Sequence, residues 1–334
     1  MSYRVAVVGA TGAVGTVMLA KLRERGFPAS EIVPFASARS AGKELEGFGT
    51  IQPLTDETIQ GFDLAIFSAG GSTSGEWAPR FVDAGAVVVD NSSKWRRDPE
   101  VPLVVAEVNP DALEDHKGLI ANPNCSTMQL MVALKPIHDA AGIERLIVST
   151  YQSVSGTGVN AVEELEAQTR AALAGEPLPA AQVYPHPIAF NVHGGAGNFV
   201  DDHTDEERKM MFETRKILGD ESIAINVTCA RVPVINCHSE SVTLQTREPL
   251  EVEDARDLLA RMPGLTMVDP YPTALSSAGR DDVFVGRLRR DPSHERGLCL
   301  WVVSDNLLKG AATNAIQIAE VLHARNLVRV PTRV

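Results

Sequence analysis

The chain has 334 residues, of which 44% are hydrophobic and 22% are charged, a balance typical of a globular protein with two domains. Its formal net charge of −12 at pH 7 argues against nucleic acid or an anionic membrane as a partner, because a negative field attracts neither. No apolar run approaches the roughly 18 residues of a membrane span, and strand-like sequence begins near the N-terminus, so we expect a cytoplasmic protein without a signal peptide.

The N-terminal sequence predicts a buried strand, a glycine turn and a helix in that order. The strand covers 4–8, and the turn carries glycines in a GxxGxxG spacing, a variant of the commoner GxGxxG. Gly9 suits a tight turn, Gly12 allows backbone to approach a pyrophosphate, and Gly15 allows close packing of helix on strand. Directly after a buried strand, this pattern indicates a dinucleotide cofactor.

The end of the second predicted strand, 32–37, bears on which dinucleotide is bound. It carries no acidic residue to accept hydrogen bonds from a ribose 2′-hydroxyl. The following turn instead offers the guanidinium of Arg39 and the hydroxyl of Ser40, which suit a 2′-phosphate. The sequence therefore favours NADP over NAD, and a solvated loop containing Arg39 and Lys43 is the alternative interpretation.

Strands and helices continue to alternate over the first 120 residues, with strands predicted at 64–68 and 86–90 and a helix through Trp77 and Phe81. This alternation predicts a Rossmann-like, doubly wound parallel sheet, an α/β fold in which ligands bind at the carboxyl ends of the strands. Residues 68–71 and 91–93 follow two of these ends.

From about Arg145 the pattern changes to that of a second, α+β domain with a mixed or antiparallel sheet. Several of its predicted strands alternate polar with apolar residues. A long irregular loop is predicted at 175–197, and a helix at 311–322 that packs back on the first domain. The predicted strands lie at 147–150, 223–227, 241–245 and 298–303.

Cys125 lies immediately before a helix-like apolar run from Met128 to Ile137. The start of a helix offers free backbone N–H groups and a positive dipole end, and both favour a thiolate. Because a thiolate attacks carbonyl carbon, we predict that Cys125 is a nucleophile. Together with a nicotinamide, such a thiolate indicates aldehyde chemistry with hydride transfer at an acyl carbon.

The other cysteines, Cys229, Cys237 and Cys299, form no CxxC pair, which predicts thiols rather than disulfides. Cys229 and Cys299 lie in strand-like runs, where a small buried side chain is the expected role. Cys237 precedes a histidine, so a redox or ligand role is an alternative for it.

The chemistry requires a general base, and we predict His238, placed in a turn between two strands. Imidazole suits the task because its ordinary pKa lies near neutrality. His186, His193 and His203 lie in a loop-rich stretch without ligand spacing, so no metal site is expected.

Further motifs run in order through nearly the whole chain. They are GATGAVG at 9–15, SARSAGK at 37–43, NSSKWRRD at 91–98, PLVVAEVNP at 102–110, NPNCST at 122–127, YQSVSGTG at 151–158, EERKM at 206–210, ARVPV and CHSES within 230–241, GRDDVFVGRLRRD at 279–291 and SDNLLKGAATNAIQIAE at 304–320. With this set the chain resembles the bacterial aspartate-semialdehyde dehydrogenases.

The resemblance implies an NADP-dependent enzyme that reversibly converts L-4-aspartyl phosphate to L-aspartate 4-semialdehyde and phosphate through a cysteine thioester. This reaction serves lysine, diaminopimelate, threonine and methionine biosynthesis. By resemblance, Cys125 is the nucleophile, His238 the acid/base and Gln152 the residue that orients the substrate.

The resemblance also assigns the charged groups of the substrate. Arg231 resembles the guanidinium that binds the α-carboxylate, and Glu206 resembles the acid that binds the ammonium group. Arg96 and Lys209 resemble the phosphate site, although the sequence does not choose between Arg96 and its neighbour Arg97.

A helix start supports the spacing of two of these residues. Thr204 and Glu207 form a capping-box pattern, and Glu206 and Lys209 are then three residues apart on one helix face. A surface ion pair is the alternative interpretation of Glu206 and Lys209.

For the cofactor, the resemblance adds residues at the pyrophosphate, the 2′-phosphate and the nicotinamide. It implies an NADP-binding domain of residues 1–127 with the C-terminal helix 311–334, a catalytic and dimerisation domain of residues 128–310, and a homodimer or homotetramer. The cofactor residues are Gly9, Thr11, Gly12, Ala13, Val14 and Gly15, then Arg39 and Ser40, then Ser155, Gly156 and Asn306.

Two other functions remain open. N-acetyl-gamma-glutamyl-phosphate reductase shares the glycine turn, the cysteine and the acyl phosphate, but its acetylated substrate offers no ammonium group to an acid such as Glu206. A non-catalytic dinucleotide-binding regulator needs no set of Cys125, Gln152 and His238, so the presence of all three argues against it.

Overall fold

The structure of the protein is a computed structural model, and it describes residues 2–329. The strands in this range are β1 (Tyr3–Val8), β2 (Ala29–Phe35), β3 (Glu44–Leu45), β4 (Gly49–Thr50), β5 (Leu64–Phe67), β6 (Val87–Asp90), β7 (Leu119–Ala121), β8 (Ile143–Gln152), β9 (Phe199–Val200), β10 (His203–Thr204), β11 (Ala224–Arg231), β12 (His238–Thr246), β13 (Leu265–Met267), β14 (Val283–Arg290) and β15 (Gly297–Ser304). The helices are α1 (Ala13–Glu24), α2 (Gly70–Asp83), α3 (Cys125–Ala141), α4 (Val159–Ala174), α5 (Asp205–Leu218), α6 (Val252–Arg261), α7 (Ala274–Ser277) and α8 (Thr313–Ala324).

The described chain divides into two compact units, residues 2–124 with 311–329, and Cys125–Gly310. The predicted division placed residues 125–127 with the first domain, but α3 begins at Cys125 and carries these residues into the second unit. Residues 330–334 of the predicted C-terminal segment lie outside the described residues.

The sheet of the first unit contains, within the described residues, five parallel strands in the order β2-β1-β5-β6-β7. Its central strands are apolar and buried along almost their whole length. Such burial is expected because helices cover both faces of a parallel sheet. Helices α1 and α8 pack on one face and α2 packs on the other, which confirms the predicted Rossmann-like, doubly wound fold.

Aromatic packing fixes α2 to its face of this sheet. Phe81 is fully buried and meets Phe35 and Phe67 edge to face, at centroid distances of 5.9 and 5.4 Å. Truncating such a phenylalanine to alanine costs roughly 3–5 kcal/mol. The loops at the carboxyl ends of β1 and β5 are therefore supported by a rigid layer.

The predicted C-terminal helix is present as α8, preceded by a π-helical turn at Leu308–Ala312. It packs against α1 and β6. Its first turn is tied to the first unit by Asn314, whose Nδ2 donates to the carbonyl of Val104 at 2.9 Å and whose Oδ1 accepts from the N–H of Ala106 at 3.1 Å.

The second unit is built on a mixed sheet with the strand order β11-β8-β12-β15-β14-β13 among the described residues. β11 runs parallel to β8 and β13 parallel to β14, and the other neighbours are antiparallel. Buried and partly exposed residues alternate strictly along β12. Helices α3, α5 and α6 pack against this sheet, which confirms the predicted mixed sheet.

Two local predictions in this unit are also confirmed. Residues 175–198 contain no strand or helix in the described structure, apart from turns and bends, as the predicted irregular loop requires. Helix α5 begins with a capping box, in which Thr204 Oγ1 accepts from the N–H of Glu207 and Glu207 accepts from the N–H of Thr204.

Candidate active site

The glycine turn after β1 is shaped by close backbone contacts that leave no room for a side chain. Gly9 adopts φ +89°, and a Cβ there would lie 2.3 Å from the carbonyl oxygen of Ser68. A Cβ on Gly15 would lie 2.1 Å from the carbonyl oxygen of Gly9. Gly12 precedes the first helical residue of α1 and is exposed, so the helix N-terminus offers backbone N–H groups to an anion.

A cavity of about 500 Å³ opens beside this turn, within the first unit. The predicted residues Gly9, Thr11 and Gly12 line it. The sequence pointed to the strand end at Ser68, but it gave no signal that several other residues line this cavity, and these come from the loop after β4 and from α2. These are Pro53, Leu54, Thr73 and Trp77.

The residues predicted to bind a 2′-phosphate follow Ser37 and Ala38, which line the same cavity. Ser40 closes a turn by donating its N–H to the carbonyl of Ser37 at 2.8 Å. Arg39 is exposed and Ser40 is half-buried. The guanidinium is therefore accessible at the end of β2, where the sequence placed it.

Arg96 and Arg97 differ sharply in their surroundings, although the sequence did not separate them. Arg96 is buried and its Nη2 donates to the carbonyl of Asn91 at 2.8 Å, whereas Arg97 is exposed. Next to this loop, burial raises the pKa of Asp90, although Ser92 Oγ donates to it at 2.5 Å. Burial therefore distinguishes Arg96 from its neighbour, and its guanidinium is hydrogen-bonded to the segment that follows β6.

Cys125 is the first residue of α3, a helix of 17 residues, so its thiol lies at the positive end of the helix dipole. All four cysteines lie in the described chain, and Cys125 is the one that is not buried. Gly310 packs directly against it, since a Cβ on that glycine would lie 2.9 Å from the Cβ of Cys125.

The remaining cysteines have inert surroundings. Burial raises the pKa of Cys229 far above its ordinary range, and burial followed by the charge of Asp305 raises that of Cys237 to about 12. Cys299 is buried in β15. A buried thiol is a poor nucleophile, so burial separates the other three cysteines from Cys125.

Strand register brings three predicted residues into one row across the sheet of the second unit. Arg231 on β11 is the partner of Gln152 on β8. Ser239 is paired with Tyr151, so His238, which precedes Ser239, comes beside Gln152 on the antiparallel strand. Gln152 Nε2 donates to Ser126 Oγ at 3.0 Å, which connects this row to the residue that follows Cys125.

His238 is fully buried and starts β12, while the turn that the sequence predicted around it lies at residues 232–237. The position differs because pairing with Ser304 on β15 extends the strand back to His238. In the turn, Cys237 adopts φ +73°.

The hydrogen bonds of His238 determine where its proton lies. The backbone N–H of Ser153 donates to Nδ1 at 3.0 Å, and Ser153 Oγ lies 3.1 Å from the same atom. Burial, and then the charge of Arg231, lower the pKa of His238 to about 3, so the ring is neutral near pH 7. Because a backbone N–H can only donate, the neutral ring carries its hydrogen on Nε2.

The Nε2 atom of His238 is buried and has no hydrogen-bond partner within residues 2–329. Gly156 passes next to it, since a Cβ on that glycine would lie 3.2 Å from Nε2 and 3.3 Å from Nη1 of Arg231. Arg231 donates from Nη1 to the carbonyl of Ser153 at 2.7 Å. The Nε2–H donor of His238 and the guanidinium of Arg231 therefore both lie next to the backbone of Gly156, which carries no side chain.

A cavity of about 830 Å³ in the second unit is lined by Gly156, Glu206 and Arg231, together with the 183–199 loop. Lys209 Nζ lies 2.7 Å from Glu206 Oε1 and 3.2 Å from Asp205 Oδ2. Burial opposes the charged form of Lys209, but Glu206 and then Asp205 outweigh it and raise the pKa of the ammonium group. The predicted face therefore exists, and its two charges contact each other.

Asn306 lies in a hydrogen-bond network that the sequence did not reveal. Its Oδ1 accepts from Ser153 Oγ at 3.0 Å and from the N–H of Cys237 at 2.9 Å, and its Nδ2 donates to Ser155 Oγ at 2.9 Å. These contacts tie the 232–237 turn to the segment after β8. Asn306 and Ser155 are both buried, and in the described structure their hydrogen bonds hold the 232–237 turn against the segment after β8.

The described chain contains no group of three or more His, Cys, Asp or Glu side chains suited to a metal ion. None of its described helices is long and apolar enough to cross a membrane.

Comparison with known proteins gives a consistent picture along the chain. Residues 4–116 match the family model "Semialdehyde dehydrogenase, NAD binding domain", and residues 134–309 match "Semialdehyde dehydrogenase, dimerisation domain". The aspartate-semialdehyde dehydrogenase of Aquifex aeolicus is 53% identical over 340 residues, which cover 98% of this chain and all of the relative.

Two solved structures are similar over almost their full length. Aspartate semialdehyde dehydrogenase II of Vibrio cholerae, complexed with ASA, is 46% identical with a TM-score of 0.93, and the match covers 97% of this chain and 99% of that one. The Candida albicans aspartate semialdehyde dehydrogenase with NADP is 26% identical with a TM-score of 0.78, and the match covers 98% and 100% of the two chains.

Proposed function

The chain belongs to the aspartate-semialdehyde dehydrogenase family, a family of oxidoreductases of amino-acid biosynthesis, and from this premise we propose that it catalyses the NADP-dependent, reversible conversion of L-4-aspartyl phosphate to L-aspartate 4-semialdehyde and phosphate. The observation that carries the proposal is the cluster at the start of α3. There Cys125 is followed by Ser126, which is hydrogen-bonded to Gln152 in the row that contains Arg231 and His238.

The first step forms a thioester on Cys125. The thiolate, favoured by the start of α3, donates an electron pair to the acyl carbon of aspartyl phosphate. A C–S bond forms, and the C–O bond to phosphate breaks with its electron pair on the phosphate. Gln152, held by Ser126, is the amide that orients the substrate, since it can both donate and accept.

The glycine turn of the first unit suits a dinucleotide, because positions 9 and 15 leave no space for a Cβ and an adjacent cavity of about 500 Å³ is present. The proposed cofactor residues of this unit are Gly9, Thr11, Gly12, Ala13, Val14 and Gly15, with Arg39 and Ser40 for the 2′-phosphate. By resemblance, Ser155, Gly156 and Asn306 of the second unit are proposed for the nicotinamide. When bound, NADPH supplies the hydride that reduces the acyl group.

Reduction turns the thioester carbonyl into a tetrahedral alkoxide on Cys125, and we assign its oxygen to His238. The neutral ring has its hydrogen on Nε2, an atom without a partner in the described structure. It therefore acts first on the acid side of its acid/base role, sharing this hydrogen with the alkoxide. The C–S bond then breaks, and aldehyde and thiolate are released.

The charged groups of the substrate match the charged side chains of the chain. Arg231 offers a planar guanidinium to the α-carboxylate, and Glu206 accepts from the ammonium group. Arg96, rather than the exposed Arg97, and Lys209 are assigned to the phosphate. The need for Glu206 distinguishes this substrate from the acetylated substrate of the sister reductase.

We further propose that the protein assembles as a homodimer or homotetramer through its second unit. The relevant family model is described as a dimerisation domain and covers residues 134–309. On the described sheet, Tyr151 is 39% exposed and packs on the ring of Trp301 at 5.5 Å. An aromatic, partly exposed sheet surface of this kind is suited to bury against a second copy.

The test follows nicotinamide absorbance after the protein is mixed with aspartate semialdehyde, phosphate and NADP. Reactions without phosphate, and with N-acetylglutamate semialdehyde in place of the free amine, are the matched controls. We expect phosphate-dependent reduction of NADP with the free amine alone. Turnover only with the acetylated compound would assign the protein to the sister reductase, and no turnover with either would favour a non-catalytic regulator.

A further inference from the structure

Glu240 is a buried acid that the proposed mechanism does not use. It lies two residues after His238 on β12, on the same buried face of the sheet, and it is fully buried. Its strand partners are Thr150 and Val302, and Thr150 is in turn the partner of Cys229. Glu240 therefore belongs to the row of side chains directly behind the row that contains His238.

The Glu240 carboxyl group lacks the donors that a buried carboxylate needs. Neither of its oxygens has a hydrogen-bond partner within the described residues. The hydrogen-bonding group that acts on its pKa is the carboxamide of Gln129 on α3. The Oε1 atom of Gln129 is also buried and without a partner in the same part of the chain, while its Nε2 donates to the backbone carbonyl of His238 at 3.4 Å.

Within residues 2–329, no cation lowers the pKa of Glu240. The titratable or charged groups near this part of the sheet come from three elements. They are Cys229 and Arg231 on β11, Glu206 and Glu207 on α5, and His238 on β12. Burial, opposed by the carboxamide of Gln129, raises the pKa of Glu240 well above its usual range.

A proton on the Glu240 carboxyl group would satisfy both side chains. A carboxylic acid can donate to Oε1 and accept from Nε2 of the Gln129 carboxamide, whereas a carboxylate can only accept. We propose that Glu240 is a positioning residue that, as a neutral acid paired with the Gln129 carboxamide, holds the backbone carbonyl of His238 and hence its imidazole. This inference rests on the proposed role of His238 for its catalytic consequence. The acid–amide pair itself is testable without any substrate.

Glu207 is the matched control, because it is another buried glutamate of the second unit with the opposite hydrogen bonding. Its Oε1 accepts from the N–H of Cys229 at 3.0 Å, and its Oε2 accepts from the N–H of Thr204 at 2.8 Å. An amide at Glu207 replaces one of these acceptors with a donor. An amide at Glu240 preserves both hydrogen bonds of the proposed pair.

The first arm measures thermal and denaturant unfolding of the wild type, Glu240→Gln and Glu207→Gln as a function of pH. In the unfolded chain Glu240 ionises near its ordinary pKa of 4.5, but in the folded protein it keeps its proton. The wild type therefore loses stability relative to Glu240→Gln as pH rises above 4.5, by roughly tenfold in the unfolding constant per pH unit. Glu207→Gln is expected to destabilise the protein.

The same samples allow a direct observation of the proton. At neutral pH, the infrared spectra of the wild type and of Glu207→Gln should each contain a carboxylic-acid carbonyl stretch that the spectrum of Glu240→Gln lacks. Subtracting the Glu240→Gln spectrum from each of the other two isolates this band. A missing band in the wild type, or a stability difference that does not change with pH, would show that folded Glu240 is ionised and overturn the proposal.

The second arm measures steady-state kinetics of Glu240→Gln and Glu240→Leu with the full-length protein. We expect Glu240→Leu to lower kcat roughly ten- to hundredfold with little change in KM, because a displaced imidazole weakens the transition state more than binding. Glu240→Gln should restore kcat to within a few-fold of the wild type. Unaltered kcat in Glu240→Leu, or no rescue by glutamine, would overturn the positioning role.

Failure of the proposed function is distinguishable from failure of this inference. If the wild type does not convert aspartate semialdehyde, the kinetic measurements give no turnover for any variant. The infrared band and the pH dependence of the unfolding stability still decide whether the acid–amide pair exists. If the wild type is active and these two signals are absent, the proposed function stands and the assignment of Glu240 is wrong.

Discussion

The glycine turn of the first unit and the row of side chains in the second unit are built in opposite ways. The turn is made of backbone, within seven consecutive residues from Gly9 to Gly15, and it depends on the absence of side chains. The row takes functional groups from three strands, and its members Gln152, Arg231 and His238 meet only through strand register. The turn is therefore sensitive to added atoms, and the row is sensitive to removed ones.

The largest effect should come from removing the thiol at the end of the side-chain site. We expect Cys125→Ala to lower turnover by on the order of 10⁴-fold or more, because no other group forms the thioester. NADPH affinity, measured by fluorescence titration, should stay within a few-fold of the wild type. Cys299→Ala is the control, since that cysteine is buried in β15; residual turnover in Cys125→Ala would exclude it as the nucleophile.

An added methyl group should be the damaging change in the glycine turn. In Gly15→Ala the new Cβ would lie 2.1 Å from the carbonyl oxygen of Gly9, and backbone cannot yield as a side chain does. We expect NADPH affinity to fall roughly ten- to hundredfold, which corresponds to about 1.4–2.8 kcal/mol. Titration and thermal unfolding measure the effect.

Gly71→Ala is the matched control for this turn. It lies in α2 of the same unit, and its nearest neighbour would be 3.9 Å from the added Cβ. We expect unchanged or slightly increased stability, because alanine is the better helix former. Equal losses of NADPH affinity and stability in Gly15→Ala and Gly71→Ala would show that the glycine turn is no more sensitive to an added methyl group than the helix α2.

The same contrast explains what the sequence could and could not predict. The turn, the capping box at Thr204 and the start of α3 at Cys125 are local, so spacing alone identifies them. The bond from the Ser153 N–H to His238, and the burial of Glu240 behind that ring, depend on antiparallel register between strands about 85 residues apart in sequence. Sequence spacing contains no information on such a register.

In both units, individual residues also make contacts that sequence spacing could not predict. Pro53 and Leu54 line the first cavity from a loop without a motif. Gly310 lies in the π-helical turn before α8, and its contact with Cys125 requires the chain to return from 185 residues further along. The resemblance to a family supplied Gln152, Arg231 and Glu206, which no local pattern would have selected.

The smallest expected effect concerns a side chain attached to the backbone-built site. Arg39 is exposed, and a charge-assisted hydrogen bond to a 2′-phosphate is worth about 1.5 kcal/mol when solvent competes for both groups. We expect Arg39→Ala to weaken NADPH roughly tenfold and to leave NADH affinity unchanged, as measured by parallel titrations. Lys43→Ala, another exposed cation nearby, is the control for the general field, and equal losses of NADPH and NADH would contradict the assignment.

Under the roles proposed for Glu206 and Lys209, their ion pair makes substrate binding an exchange of counter-ions. The two side chains contact each other at 2.7 Å, and Lys209 also contacts Asp205 at 3.2 Å, so a ligand with both an ammonium group and a phosphate replaces internal ion pairs with contacts to its own charges. A ligand with the phosphate alone draws Lys209 away and returns no cation to Glu206. The pair therefore favours ligands that carry both charges over those that carry only one, so part of the selectivity follows from the contact between these two side chains.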